Sequence, residues 1–101
     1  MNDEVVDNAQ GQRYEIRRDG KTLGFAAYQK ADRLIVFTHT EIEPGLEGQG
    51  IGSQLVRGAL DDVRAQGLPV LPICPFVQQW ISRHPDYLDL DYLRPDSRVS
   101  D

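Results

Sequence analysis

The sequence predicts an α+β domain, on three observations. Alternating strand patterns with hairpin signals fill residues 13–42. A glycine cluster, "EGQGIGS" at 47–53, stands directly ahead of an apolar stripe at helical spacing. A short apolar run bounded by prolines, "LPVLPIC" at 68–74, then separates that helix from a second helical segment. The implied order is β-β-β, loop, α, β, α: a three-stranded antiparallel sheet followed by one strand–loop–helix–strand unit.

The elements follow in turn. "RYEIRRD" (13–19) alternates Tyr14 and Ile16 with charged neighbours, and Asp19-Gly20 is a hairpin signal. "KTLGFAAYQ" (21–29) is the return strand, and Ala31-Asp32-Arg33 a second turn. "LIVFTHTEI" (34–42), rich in β-branched and aromatic residues, is the strongest strand. Ile51, Leu55, Ala59 and Val63 sit four apart with Val56 and Leu60 beside them, one helical stripe from which Arg57, Asp61, Asp62 and Arg64 face away. Gly67 ends that helix. Residues 68–74 read as a short buried strand whose prolines leave one edge without a partner, open to weak pairing with a second chain. Pro75 opens a short helix carrying Phe76, Val77, Trp80 and Ile81, and His84-Pro85 stops it. The polar segments 1–12 and 94–101 read as loose tails around an ordered core at about 13–93.

A chain of 101 residues fits one domain with one modest core. Its 40% hydrophobic and 27% charged content is that of a globular protein, and no run of 18 apolar residues occurs. The N-terminus lacks the basic-then-apolar profile of a secretory signal. A single cysteine, Cys74, excludes an internal disulfide and fits a reducing cytoplasm. Net charge is -5 with scattered basic residues, which argues against nucleic acid and mildly favours a cationic partner such as an amine.

A glycine-rich turn leading into a helix offers unpaired backbone N–H groups and a favourable dipole to an anion. Three phosphate-binding patterns apply to this arrangement. The nucleoside-triphosphate loop needs Gly-Lys-Ser/Thr, and the stretch 47–53 holds no lysine. The dinucleotide fingerprint G-x-G-x-x-G does not fit the even spacing of Gly48, Gly50 and Gly52. The coenzyme A pyrophosphate pattern Q/R-x-x-G-x-G/A does, with Gly50 and Gly52 on its glycines. A loop that merely turns into a helix is the plain alternative.

From about Arg13 to Leu90 the chain resembles the GNAT acetyltransferase superfamily. The match is to its very short single-domain group, through "HTEIEPGLEGQGIGSQLVRGAL" and "LPVLPICPFVQQWISRHPDYLDL". The resemblance implies a strand ending at Ile42 that splays from the strand at 70–74. Coenzyme A would enter that opening, its pantetheine arm pairing near Ile42 and its pyrophosphate on the loop Glu47, Gly48, Gln49, Gly50, Ile51, Gly52 and Ser53. One position departs from the pattern: Glu47 stands where Gln or Arg is usual, and its carboxylate would repel pyrophosphate if turned inward.

Transfer to an amine calls for a base near the acceptor. His39 and Glu41 share one strand face at period two, with Phe37, and either suits that role. Each also has a structural reading, as a satisfied strand histidine and a solvated strand-end charge. Cys74, just before a helix N-terminus, is a candidate thiolate. With His39 in a shared cleft it would form a pair able to carry an acyl group. The resemblance marks these two as the suspected active-site pair, although direct transfer is the commoner superfamily route. Tyr87 is the candidate acid for the departing thiolate, or else an aromatic anchor. His39, His84 and one cysteine have no metal-ligand spacing, so no metal is expected. The reading is an acetyl-CoA-dependent N-acetyltransferase acting on a protein lysine or small amine, with an open acceptor site. The rivals are a coenzyme A-binding module that acts through a protein partner with little catalysis, and a plain interaction domain.

Overall fold

The computed structural model describes residues 3–46 and 48–92. The elements are β1 (Asp3–Asn8), β2 (Arg13–Arg18), β3 (Lys21–Ala31), β4 (Leu34–Ile42), α1 (Ile51–Ala65), β5 (Val70–Pro72) and α2 (Pro75–Ser82), then a 3-10 turn at Pro85–Leu90. The five strands form one sheet in the order β1-β2-β3-β4-β5. The first four are antiparallel, and β5 lies parallel to β4. No described helix is long and apolar enough to cross a membrane.

The polar segment 1–12, a loose tail by its sequence, is corrected by the structure: Asp3–Asn8 is a paired edge strand. Acidic β1 lies against basic β2, with Asp3 opposite Arg18 and Glu4 opposite Arg17. The Arg18 guanidinium donates to both carboxylate oxygens of Asp3, at 2.7 and 2.9 Å. Cross-strand opposite charges of this kind favour pairing. The Tyr28 hydroxyl, from β3, donates to Asp7 at 2.6 Å. Val5 packs against α1 at Gly58, where an added Cβ would stand 2.7 Å from the Val5 side chain. These partners are distant in sequence, so no local pattern announced the strand.

The turn at Asp19-Gly20 has positive φ at both residues, 52° and 80°, as a tight two-residue hairpin requires. In α1 the buried residues are Ile51, Leu55, Val56, Ala59, Leu60 and Val63, the predicted stripe. They close on Tyr14, Ile16, Ala26, Tyr28 and Phe37 of the sheet, and Val77, Trp80 and Ile81 of α2 complete the core. Phe76 is not part of it; its ring is 43% exposed. The strand expected at 68–74 is only three residues long. Its outer side is not bare, since the Tyr92 N–H donates to the Val70 carbonyl at 2.7 Å.

One irregularity governs the site. The β3–β4 register steps from Tyr28↔Phe37 to Ala27↔His39, leaving Thr38 as an extra residue. Such a bulge reverses which face the following side chains take. Phe37 and Thr40 therefore stand opposite buried Tyr28 and Ala26, on the core side, while His39 and Glu41 stand opposite Ala27 and Phe25 on the other. The period-two reading that put His39, Glu41 and Phe37 on one face is corrected by that bulge.

Candidate functional site

The site begins where β4 and β5 part. Their ladder covers Ile35↔Val70, Val36↔Leu71 and Phe37↔Pro72, and the Cys74 N–H then donates to the Phe37 carbonyl at 2.9 Å. Past that contact Thr38–Ile42 keep their bonds to β3 on one side. Among the described residues no backbone hydrogen bond reaches their other side. A strand edge is thus left open in the middle of the sheet, at a fork. Thr40 Oγ1 and Cys74 Sγ lie 3.3 Å apart inside it.

At the mouth of the fork stands the glycine loop. Gly50 caps α1 at φ 76°, a left-handed conformation that suits glycine. No side chain caps the helix and its first turn holds no acidic residue. The amides of Ile51, Gly52 and Ser53 thus belong to the first turn, whose N–H groups find no partner within the helix. Phe76 lies across Gly52, where an added Cβ would meet its ring at 2.7 Å. Beside them is a cavity of about 330 Å³, bounded by Ile42, Leu46, Gly48, Gly50, Gly52 and Phe76. It has the dipole and donors of an anion site and an apolar wall beside it. Ser53 Oγ is engaged, accepting from the Trp80 indole N–H at 2.8 Å. The Gln49 N–H points to the Leu46 carbonyl at 3.4 Å. Glu47, the departure from the coenzyme A pattern, lies outside the described residues.

His39 and Glu41 are together on the opposite face, with Nε2 and Oε2 2.7 Å apart and side chains 58% and 63% exposed. A carboxylate only accepts, so in neutral imidazole Nε2 carries the hydrogen and Nδ1 keeps its lone pair. The ring also meets Phe25 edge-on at 6.1 Å, and the Arg13 guanidinium lies over Phe25 at 4.4 Å. Beneath them Glu15 is 2% exposed. Its Oε2 accepts from Asn8 and Arg13 and its Oε1 from Arg17. The Asn8 amide, followed by Arg17 and Arg13, holds its carboxyl down at about 2 against the opposing effect of burial.

The four candidate catalytic residues therefore separate. His39 and Glu41 form a dyad. Cys74 is buried beside Thr40, on the core side of β4, so the structure does not set it against His39 as a shared-cleft pair requires. Tyr87 is elsewhere. Its hydroxyl donates to Asp61 at 2.7 Å and accepts from Arg57 at 3.2 Å. Its ring meets Trp80 edge-on at 4.9 Å, and the Trp80 indole in turn donates to Ser53 of the glycine loop. Burial, and after it the Asp61 carboxylate, raise the phenol above its ordinary range. The hydroxyl expected as proton donor is thus bonded to two side chains of α1 and ties the C-terminal segment to that helix. Thr40, Phe25 and Arg13 are the neighbours sequence reasoning missed. Thr40 was hidden by the bulge, and Phe25 read only as one more strand aromatic. No group of three or more metal-ligating side chains occurs among the described residues.

A family model for GCN5-related N-acetyl-transferase matches residues 13–90 of the chain. Among solved structures, the solution NMR structure of a GCN5-like candidate N-acetyltransferase from Staphylococcus aureus superposes with a TM-score of 0.67 at 22% identity. The match covers 87% of this chain and 86% of that one, and it shows a shared fold. No curated protein matches the chain. By the family match, this chain belongs to the GCN5-related N-acetyltransferases.

Proposed function

We propose that this family member takes acetyl-CoA into the fork between β4 and β5 and transfers its acetyl group to an acceptor amine. The observation that carries the reading is the junction of two features. An unpaired strand edge at Thr38–Ile42 leads directly to an uncapped helix start behind Gly50. A long ligand with an amide-bearing arm and a diphosphate fits both, the arm along the backbone near Ile42 and the diphosphate on the loop from Glu47 to Ser53. When bound, acetyl-CoA supplies an acetyl group activated as a thioester, which passes to the amine nitrogen with release of the free thiol.

The chain's own residues have separable tasks. The glycine-loop amides hold negative charge without a side chain in the way. Ile42 and Leu46 give the cavity its apolar side. Glu41 orients the His39 ring through Nε2, so Nδ1 is the atom that takes the proton of the acceptor ammonium. Cys74 and Thr40 line the fork. With no base against its sulfur, Cys74 fits a lining role better than an acyl carrier, which favours direct transfer.

Thermal unfolding with ligand tests this. Acetyl-CoA at about 100 times its Kd adds about 2.7 kcal/mol, a rise of roughly 10 °C for a domain of this size. Acetyl-CoA and free coenzyme A are expected to raise Tm while ATP and NAD leave it unchanged. No rise at millimolar acetyl-CoA would remove the ligand and the transferase reading together. A rise with no transfer to any amine would leave the coenzyme A-binding module.

A further inference from the structure

We infer that the acceptor carries an anionic group near its amine and binds in a second cavity, on the solvent-facing side of the sheet, lined by Arg13 at one end and by the carboxylates of Glu41 and Glu43 at the other. This inference rests on the acetyl-transfer reading. The cavity, of about 300 Å³, is bounded by Arg13, Thr22, Phe25, Glu41 and Glu43 among others, room for a molecule of amino-acid size. It is distinct from the glycine-loop cavity, although Ile42 at the end of β4 borders both.

Its charges are divided. At the Arg13 end the single buried carboxylate of Glu15 serves both Arg13 and Arg17, which leaves one positive charge over. Arg13 contacts Glu15 through Nε; among the described residues its two Nη nitrogens have no hydrogen-bond partner. The Phe25 ring beneath holds that guanidinium in place. At the other end are Glu41, bonded to His39, and exposed Glu43, for which no ion pair occurs among the described residues. An ammonium placed against these carboxylates has its charge offset by two anions, and a carboxylate on the same molecule reaches the free fork of Arg13. A diamine without an anionic group would bring a second cation towards Arg13, where like charge opposes it. The acceptor class is thus a small zwitterion of the amino-acid type.

The test needs no coenzyme A. Lysine and its decarboxylated counterpart, cadaverine, are titrated separately into the free protein while backbone amide NMR signals are followed. Lysine is expected to shift Phe25, Glu41 and Glu43 with a Kd about tenfold or more below that of cadaverine. Arg13→Gln is expected to remove that preference. Glu43→Gln, which breaks no described contact, is expected to weaken lysine several-fold while the fold stays intact. Equal or tighter binding of cadaverine would overturn the zwitterion and leave a purely cationic acceptor. No shift at these residues with either probe in the tens of millimolar would overturn the cavity itself. Because the probes bind the free chain, a failure here is separate from a failure to bind acetyl-CoA.

Discussion

The two halves of β4 do different work on one strand. Ile35–Phe37 is paired on both sides, to β3 and β5, and carries Ile35 and Phe37 into the core at 2% and 1% exposure. Beyond Thr38, His39–Ile42 is paired only with β3 and lines the fork. The pivot is Thr38. Without its bulge, strict alternation from Phe37 would turn His39 and Glu41 into the core side and Thr40 out to solvent. With it, the polar dyad faces the open side and Thr40 meets Cys74. The difference teaches that one inserted residue can end a structural segment and begin a site, with no break in the strand.

Substitutions can sharpen that contrast. Phe37→Ala should have the largest effect on stability, a loss of about 3–5 kcal/mol in denaturant unfolding, because the ring packs against Tyr14 and Tyr28. Acid unfolding gives a slope rather than a step. The Glu15 carboxyl is held at about 2 in the folded chain, below its unfolded value, so its stabilisation is full above the ordinary carboxylate range. That stabilisation fades as pH falls from there through about 2; Glu15→Gln should flatten this limb of the stability–pH curve. Gly50→Val, forcing a β-branched residue to φ 76°, should cost about 1–3 kcal/mol and abolish the Tm rise with acetyl-CoA. His39→Ala and Glu41→Gln, both exposed, should leave stability within about 0.5 kcal/mol. Their effect should fall on turnover, by a factor of about 10²–10⁴ for loss of the base, read in a free-thiol release assay. A large stability loss from either would break the comparison, since it would make the second half of β4 structural too.

Much of this was legible in the sequence where the physics is local. The stripe of α1 is a period, and the Asp19-Gly20 hairpin is a dipeptide with one favoured geometry. The glycine loop ahead of a helix also declared itself by order alone. What was illegible depends on partners far along the chain. β1 is held by Arg18, Tyr28 and Gly58, none of which an acidic N-terminal hexapeptide advertises. The bulge at Thr38 arises from register with β3 and leaves no compositional mark, so Phe37 was misread as sharing the face of His39 and Glu41. Phe76 matched the helical stripe of α2, yet packs across Gly52 beside the cavity. Tyr87 was placed by motif position alone, and Asp61 and Arg57 hold it against α1.

The most direct test of the account is an amide NMR titration of the whole chain with acetyl-CoA. The account predicts saturable shifts along Thr38–Ile42 and Gly48–Ser53 and at Cys74, while Leu34 and Ile35, at the far end of the strand, stay put. Shifts spread evenly along β4, or absent from both the fork and the glycine loop, would contradict it.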